Sequence, residues 1–156
     1  LARAVEKHLH AAGHLTVLLD GDNLRTGVNK NLTFTEEDRK ENVRRSAEVS
    51  KLFMNNGTVT ICSLISPTEE IRQQAKDIIG EGYVEVFINC PLEVCEERDV
   101  KGIYALARAG KIKNFTGIDS PFDAPTNPDI EVKTNIDSLD DCLEQILSQV
   151  NKLIAV

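Results

Sequence analysis

Four short apolar runs, separated by segments with helical periodicity, are the feature that most constrains the fold of this chain. The runs are rich in β-branched residues and cover residues 15–19, 58–65, 83–90 and 129–134. Runs of this length without polar alternation are typical of strands that are covered on both faces. Because strands that alternate with helices are joined by right-handed crossovers, the pattern predicts an α/β protein with a mostly parallel sheet.

The segments between these runs carry the sequence signals of amphipathic helices. One begins with Thr35 and Asp38, whose spacing is that of a capping-box-like helix start. The next predicts a helix with Ser66 as the N-cap and Pro67 at the first helical position. Residues 138–154 have the periodicity of a final amphipathic helix. Helices are therefore expected to alternate with the strands along the whole chain.

Residues 1–13 are also helical in pattern, but their helix starts without the usual signals. Leu1 has no N-cap residue, proline or acidic first turn before it, whereas Gly13 supplies a regular end. In a parallel sheet, a helix that leads into a strand is itself expected to follow another strand. We therefore expect a strand and its connecting loop to precede Leu1 in the natural protein.

Length, charge and cysteine usage limit the class of protein. A chain of 156 residues fits one domain with a sizeable core. The net charge of −7 argues against a general nucleic-acid or membrane-surface role, and no run approaches the roughly 20 apolar residues of a membrane span. The four cysteines lack the spacing of a zinc site and indicate a reducing, cytoplasmic compartment. Cys62 and Cys90 lie in apolar runs, which predicts that they are small core residues.

Four blocks of the sequence stand out by their order and spacing. They are residues 18–53, which begin LLDGDNLR, then SLISP (63–67), PLEVCEERDVKGIYALARAG (91–110) and IKNFTGIDSPFDAP (112–125). These blocks closely resemble the adenylylsulfate kinase (APS kinase) family over nearly the whole chain. The resemblance implies one domain over residues 1–156 with a three-layer P-loop kinase fold, in which a mostly parallel sheet of about five strands has helices on both faces.

The resemblance also implies an activity, the transfer of the γ-phosphate of ATP to the 3′-hydroxyl of adenosine 5′-phosphosulfate in sulfate assimilation. The resemblance implies ATP as the co-substrate and Mg²⁺ as the cofactor. It also implies a homodimer, and a sulfurylase that is either fused to the chain or a separate partner. The family opens with a strand and a GxxxxGK[ST] phosphate-binding loop, a motif that this sequence does not contain. Two other hypotheses therefore stay open, a different small-molecule P-loop kinase and a non-catalytic adenylylsulfate-binding module.

The LLDGDNLR stretch ends the first predicted strand on two aspartates, Asp20 and Asp22. Ligands of open α/β sheets bind at the carboxyl ends of the strands, so both carboxylates are placed for chemistry. The resemblance implies that Asp22 orients the acceptor hydroxyl and takes its proton, whereas Asp20 lies beside Mg²⁺ or supports the site. Asn23 and Leu24 belong to the implied substrate site.

Arg25, Arg39 and Asn42 are the residues expected to bind the phosphosulfate. Planar arrays of anionic oxygens suit the forked donors of arginine. Arg39 and Asn42 are three residues apart near the start of a helix, so they share a face where the helix dipole favours anions. The neighbouring Arg44 and Arg45 are expected to be solvated charges.

Phe34 and Phe115 are the aromatic residues expected to contact adenine. Aromatic residues make up only 4% of the chain, and both phenylalanines lie in polar, loop-like contexts where core packing is less natural. A purine stacked on a phenyl ring gains about 1–3 kcal/mol. Adenine stacking on either ring is therefore predicted.

Ile65 and Ser66 follow the second predicted strand. The resemblance places the matching serine beside the substrate, and we expect Ser66 both to cap a helix and to line the site. The backbone of Ser66 or of Ile65 is expected to contact the substrate. Ser66 thus joins Asp22 among the predicted catalytic-site residues, without a phosphoserine intermediate.

Residues 98–117 concentrate basic side chains in an otherwise acidic chain, and glycines within them offer hinges. The resemblance implies a cationic lid that closes over nucleotide phosphates. Lys101, Asn114 and Phe115 are its expected substrate contacts. A solvated basic helix is the alternative interpretation of this segment.

Overall fold

Helices and strands alternate along residues 1–154, which are the residues that this computed structural model of the chain describes. The helices are α1 (Ala2–Ala11), α2 (Gly21–Thr26), α3 (Glu36–Met54), α4 (Glu69–Ile79), α5 (Leu92–Arg98), α6 (Ile103–Arg108) and α7 (Leu139–Ile154), and the strands are β1 (Thr16–Asp20), β2 (Val59–Ser63), β3 (Val86–Asn89) and β4 (Ile130–Lys133). These elements belong to two compact units, Leu1–Tyr83 and Val84–Val156.

The first unit is built on a pair of parallel strands, β1 and β2. Their register places Thr16 beside Val59 and Asp20 beside Ser63, so both strands end at the same edge. Helix α3 packs on α4 through small and branched side chains that exclude water. The buried members of this cluster are Val43, Ala47, Ile71 and Ala75. The unit thus presents the segments that follow β1 and β2 side by side.

The second unit is built on the parallel pair β3 and β4. Along β4, Ile130 and Val132 are buried while the residues after each of them are exposed, so one face of the strand meets the core. Helix α7 packs on this strand and buries Cys142, Ile146 and Leu147. The predicted final amphipathic helix is therefore confirmed.

The strand predictions agree with the structure in place and in direction. Each of the four predicted runs contains or overlaps one observed strand, and both observed pairs are parallel. The predicted total of about five strands and the single domain over residues 1–156 stay predictions. Among residues 1–154, none of the helices has the length and apolar character needed to cross a bilayer.

The predicted start of α4 was wrong by two residues. Thr68, not Ser66, is the N-cap, and its hydroxyl accepts a hydrogen bond from the Ile71 amide at 3.4 Å. The backbone carbonyl of Ser66 instead accepts a hydrogen bond from Arg72 Nη1 at 3.0 Å. The later start places Glu69 and a second glutamate in the first turn, where carboxylates are favoured by the helix dipole.

The prediction that Cys62 and Cys90 are core residues was also wrong. Cys62 is exposed near the end of β2, and Cys90 is half-buried directly after β3. Both lie where a strand is ending, so the apolar run in the sequence extends beyond the covered part of the strand. Cys142 on α7 is the buried cysteine, and all four thiols are free.

Candidate active site

The segment after β1 is a short helix, α2. The carboxylate of Asp20 starts this helix, since its Oδ1 accepts hydrogen bonds from the amides of Asp22 at 3.0 Å and Asn23 at 3.4 Å. Asp22 and Asn23 are exposed at the carboxyl edge of the strand. Asp20 therefore has a structural role in holding Asp22 at this edge.

Gly21 brings the two strand ends together. A Cβ atom at this position would lie 3.3 Å from Leu64 Cδ2 and 3.5 Å from the carbonyl oxygen of Ser63. The lack of a side chain lets the start of α2 lie directly against the segment that follows β2. That segment carries Ile65, whose side chain is exposed, and the half-buried Ser66.

The remaining two predicted residues of α2 have different environments. Leu24 is buried and anchors the helix. Arg25 reaches out to the loop that follows, where its Nη1 donates to the carbonyl oxygens of Leu32 at 3.1 Å and Thr33 at 2.8 Å. Burial lowers the pKa of Arg25, and the nearby carboxylates of Asp38 and Asp22 oppose this effect.

Two arginines meet one aromatic ring at Phe34. The guanidinium carbon of Arg25 lies 4.3 Å from the ring centroid and that of Arg39 lies 5.6 Å from it, both within cation–π range. Arg39 Nε also donates to the carbonyl oxygen of Phe34 at 3.1 Å. More than half of Phe34, 54%, is exposed. We call this group the Arg25–Phe34–Arg39 cluster.

The start of α3 fixes the loop that carries Phe34. Thr35 caps the helix as predicted, because its hydroxyl accepts from the Asp38 amide at 3.3 Å. The Asp38 carboxylate does not close a capping box on Thr35 but accepts from the amide of Thr33, at 2.7 Å, and from its hydroxyl. These bonds lower the pKa of Asp38, so the carboxylate stays ionised and keeps the loop in place.

Asn42 lies one helical turn after Arg39 and is buried. Its side-chain oxygen accepts a hydrogen bond from Asn29 Nδ2 at 3.0 Å. Asn29 is itself fully buried in the loop between α2 and α3. Sequence reasoning missed Asn29, because Lys30 and Asn31 beside it are polar too and its partner lies 13 residues away.

Arg44 and Arg45 both pair with Glu41 on α3. Arg44 Nε and Arg45 Nε each lie 2.7 Å from a Glu41 carboxylate oxygen. The hydrogen bond from Arg44 is the largest cause that lowers the pKa of Glu41 to about 2. Arg45 Nη1 also donates to Val28 O at 3.2 Å and to Asn31 Oδ1 at 2.9 Å, so it is an anchor of the loop as well as a surface charge.

In the second unit, Asn114 and Phe115 lie in a tight loop that a single carboxylate holds. Asn114 has a positive φ of 57°, and the Asp119 carboxylate accepts hydrogen bonds from the amides of both Asn114 and Phe115. The Phe115 ring meets Tyr104 edge-on, with centroids 4.9 Å apart. Lys101 is exposed between α5 and α6. Asp119 is a second residue that the sequence did not single out.

The acidic residues at the edge of β1 offer few ligands for a metal ion. Within residues 1–154, no group of three or more His, Cys, Asp or Glu side chains could hold one. Mg²⁺ in kinases is commonly held by one or two carboxylates together with substrate phosphates. Asp20, with one carboxylate oxygen engaged in the α2 cap, and Asp22 fit this limited donor set.

Comparison with protein families gives one match over most of the chain. A family model described as adenylylsulphate kinase matches residues 1–133. The adenylyl-sulfate kinase of Clostridium kluyveri is 53% identical over 147 residues, which are 94% of this chain and 74% of the relative. That of Bacteroides fragilis is 51% identical over 151 residues, which are 96% of this chain and 75% of the relative.

Solved structures give the same result. The Mycobacterium tuberculosis APS kinase CysC in complex with AMPPNP and APS superposes with a TM-score of 0.92 at 40% identity, covering 96% of this chain and 88% of that one. A hexameric APS kinase from Thiobacillus denitrificans has a TM-score of 0.72 at 22% identity, with 99% of this chain and 26% of that chain covered, and supports the fold alone.

Proposed function

The chain belongs to the adenylylsulfate kinase family, and from this premise we propose that it transfers the γ-phosphoryl group of ATP to the 3′-hydroxyl of adenosine 5′-phosphosulfate. The products are ADP and 3′-phosphoadenosine 5′-phosphosulfate, the activated sulfate of sulfate assimilation. Its fold is the α/β P-loop kinase fold of its structural neighbours. The observation that carries the proposal is the close superposition on an enzyme that holds both APS and an ATP analogue.

The Arg25–Phe34–Arg39 cluster supports recognition of adenylylsulfate. The two guanidinium groups offer forked donors to the anionic oxygens of the phosphosulfate, and the exposed part of the Phe34 ring offers a surface to adenine. Asn42 adds an amide on the same helix as Arg39. We place Asn23 and Leu24 of α2 in this site, Leu24 through its backbone because its side chain is buried.

Asp22 is the proposed catalytic base. It is exposed at the carboxyl edge of β1, and its charge is close enough to Arg25 to oppose in part the lowering of the guanidinium pKa that burial causes. As the 3′-oxygen bonds to the γ-phosphorus, the bond from phosphorus to the ADP oxygen breaks and the hydroxyl proton passes to Asp22. Ser63 and Leu64 lie against Gly21 at the start of α2, and we propose that the next two residues, Ile65 and Ser66, line the acceptor side of the site.

Mg²⁺ and the ATP phosphates complete the proposed site. Asp20 would hold the ion, which would neutralise the charge that develops on the phosphates, while Asp22 stays available to take the proton. We propose, as the resemblance implies, that a strand and a GxxxxGK[ST] loop precede Leu1 in the natural protein. The backbone amides of such a loop would cradle the phosphates of ATP.

Residues 98–117 are the proposed lid. Lys101 is exposed, and the carboxylate of Asp119 holds Asn114 and Phe115 in one defined loop, so these three residues can act together on a nucleotide. Three glycines of this segment have positive φ, a backbone region that glycine enters without strain and that suits hinges.

The setting of the enzyme is part of the proposal. Residues 1–156 would act as one APS-kinase-like domain in the cytoplasm, where the four free thiols stay reduced. The resemblance makes a homodimer and a fused or partner sulfurylase the expected assemblies. Size-exclusion chromatography with light scattering on the full-length protein would measure its oligomeric state.

Substitution of Asp22 tests the reaction. In the full-length protein, Asp22→Asn is expected to fold normally and to lower turnover at least about a hundredfold, the lower end of what a positioned base contributes. The measurement is ADP release from ATP with adenylylsulfate as acceptor. Asp77→Asn, which removes an exposed carboxylate on α4, is the matched control and should keep wild-type turnover.

Three results would contradict the proposal in different ways. Wild-type protein that binds adenylylsulfate without releasing ADP would be a non-catalytic binding module. ADP release only with another small hydroxyl acceptor would indicate a different kinase. Undiminished turnover of Asp22→Asn would remove Asp22 from the role of base and leave the activity in place.

A further inference from the structure

The loop between α2 and α3 buries an asparagine that makes one specific side-chain contact. Asn29 is 0% exposed, and its Nδ2 donates to Asn42 Oδ1 at 3.0 Å. Asn42 is 5% exposed. The contact is directional, because the NH₂ group of one amide must meet the oxygen of the other. The Asn29 Oδ1 atom is buried without a hydrogen-bond partner among the described residues, so the bond to Asn42 is the one that orients the Asn29 side chain.

This contact determines which end of the Asn42 amide is left for a ligand. A side-chain amide has one oxygen, an acceptor, and one NH₂ group, a double donor. Because the Asn42 oxygen is directed at Asn29, the NH₂ group is the end of the amide that is left to face another partner. That NH₂ group makes no hydrogen bond to any other group of residues 1–154.

Helix α3 places Asn42 beside the proposed substrate residues. Arg39 lies one turn earlier on the same helix and hydrogen bonds to the carbonyl oxygen of Phe34. An anion bound at Arg39 would therefore lie about one helical turn from Asn42. It would be attracted by the NH₂ group of Asn42 and repelled by its carbonyl oxygen.

We propose that Asn29 is a positioning residue for substrate binding, which orients the amide of Asn42 so that its NH₂ group faces the phosphosulfate. The inference rests on the proposed function. Asn29 does not touch the substrate in this proposal and acts only through Asn42. A carboxylate at position 29 would accept a hydrogen bond where Asn29 donates one, and would turn Asn42 around.

Two substitutions of Asn29 should therefore have different effects on the KM for adenylylsulfate, and a simple loss of packing would not produce this difference. Asn29→Ala should raise the KM for adenylylsulfate about tenfold and leave the KM for ATP within about twofold, the size of one lost hydrogen bond to a charged group. Asn29→Asp has nearly the same shape but should raise the KM for adenylylsulfate further, because the Asn42 oxygen then faces the anion.

The loop offers a control at Arg45. This residue anchors the same loop through Val28 O and Asn31 Oδ1 and has no hydrogen bond to Asn42. Arg45→Ala should therefore raise the KM for adenylylsulfate less than Asn29→Ala does. Its effect should also be unchanged when Asn42 is alanine, whereas the effect of Asn29→Ala should disappear in that background.

Steady-state kinetics on the full-length protein with both nucleotides, together with thermal melts, decide the matter. A tenfold effect of Asn29→Ala that persists in the Asn42→Ala background, or an equal effect of Arg45→Ala, would assign Asn29 to loop stability and overturn the inference. If Asn29→Asp does not fold, the cycle of Asn29→Ala with Asn42→Ala still decides. Wild-type protein without adenylylsulfate turnover would refute the proposed function itself and this inference with it.

Discussion

Phe34 meets two cations on a ring that is also the proposed adenine surface. Arg25 lies closer to the ring than Arg39, at 4.3 Å against 5.6 Å, and is held there by two loop carbonyls. A purine must then share the ring with the guanidinium of Arg25, which lies over one part of it. Arginine planes stack with bases as well as with phenyl rings, so this arrangement suits a nucleotide that carries both an aromatic base and anionic groups.

Arg39 and Phe34 should distinguish the two nucleotides. Removing one partner of a desolvated charge pair costs about 2–5 kcal/mol, and about 1.4 kcal/mol is a factor of ten in affinity. Arg39→Ala should therefore weaken adenylylsulfate binding well over tenfold and Phe34→Ala about tenfold, and both should keep ATP affinity within a few-fold. Calorimetric titration with each nucleotide measures both affinities.

Lys40 provides the control for this pair of substitutions. It follows Arg39 in the sequence, but its ammonium group pairs with Glu70 on α4 instead of approaching Phe34. Lys40→Ala should leave both affinities unchanged. Equal losses for both nucleotides in Arg39→Ala would indicate a folding defect, and unchanged adenylylsulfate binding would exclude Arg39 from the site.

At the level of single residues, the sequence could single out those members of the candidate site that are charged or that carry an aromatic ring in a polar segment. Asp22, Arg39 and Phe34 could be selected as candidates because a charged group at a strand end or helix start, and an aromatic ring in a polar segment, are visible in the sequence. Asn29 was missed because its partner is 13 residues away, across a loop without periodicity. Asp119 was missed for a similar reason, since it acts on backbone amides and these carry no sequence signal.

At the scale of elements, the start of α4 offers a direct test of helix capping. Thr68→Ala removes the hydroxyl that accepts from the Ile71 amide and should lower the free energy of unfolding by about 1 kcal/mol. Ser66→Ala should change it much less, because the backbone of Ser66, not its side chain, holds Arg72. Urea denaturation of both variants measures the difference, and a larger loss in Ser66→Ala would restore Ser66 as the cap.

The strands were predictable as elements because apolar, β-branched runs of four to eight residues are typical of buried strands and are shorter than most helices. The start of α4 was not, because Ser66-Pro67 satisfies the local rules for a helix start better than Thr68 does. In the structure the Ser66 carbonyl instead accepts a hydrogen bond from the side chain of Arg72, six residues later. This hydrogen bond forms only after the helix exists, so the local sequence around Ser66 does not predict it.

For the whole molecule, acid stability should depend on Glu41. Its pKa is lowered from 4.5 to about 2 in the folded state, first by its hydrogen bond from Arg44 and then by that from Arg45. A carboxylate with a lowered folded-state pKa contributes stability that is fully present above pH 4.5 and is lost as the pH falls toward 2. Glu41→Gln should therefore flatten the fall in stability across this interval.

The free energy of unfolding of wild type and of Glu41→Gln should be measured by chemical denaturation at a series of pH values between 2 and 6. The lower limit is the folded-state pKa of Glu41, about 2. The two proteins should differ most at the upper end of the series and converge at the lower end. Parallel curves would show that the ion pairs of Glu41 persist equally in the unfolded chain.

Helix α3 spans 19 residues, or about 28 Å, without interruption. Its early turns carry Arg39 and Asn42, and its middle carries Val43 and Ala47 in the core with α4. A bulkier residue at position 47 is expected to push α3 away from α4 and to displace Arg39 with it. One helix thus carries both proposed substrate-binding residues and core residues. We therefore expect substitutions that change substrate preference in related proteins to change thermal stability as well.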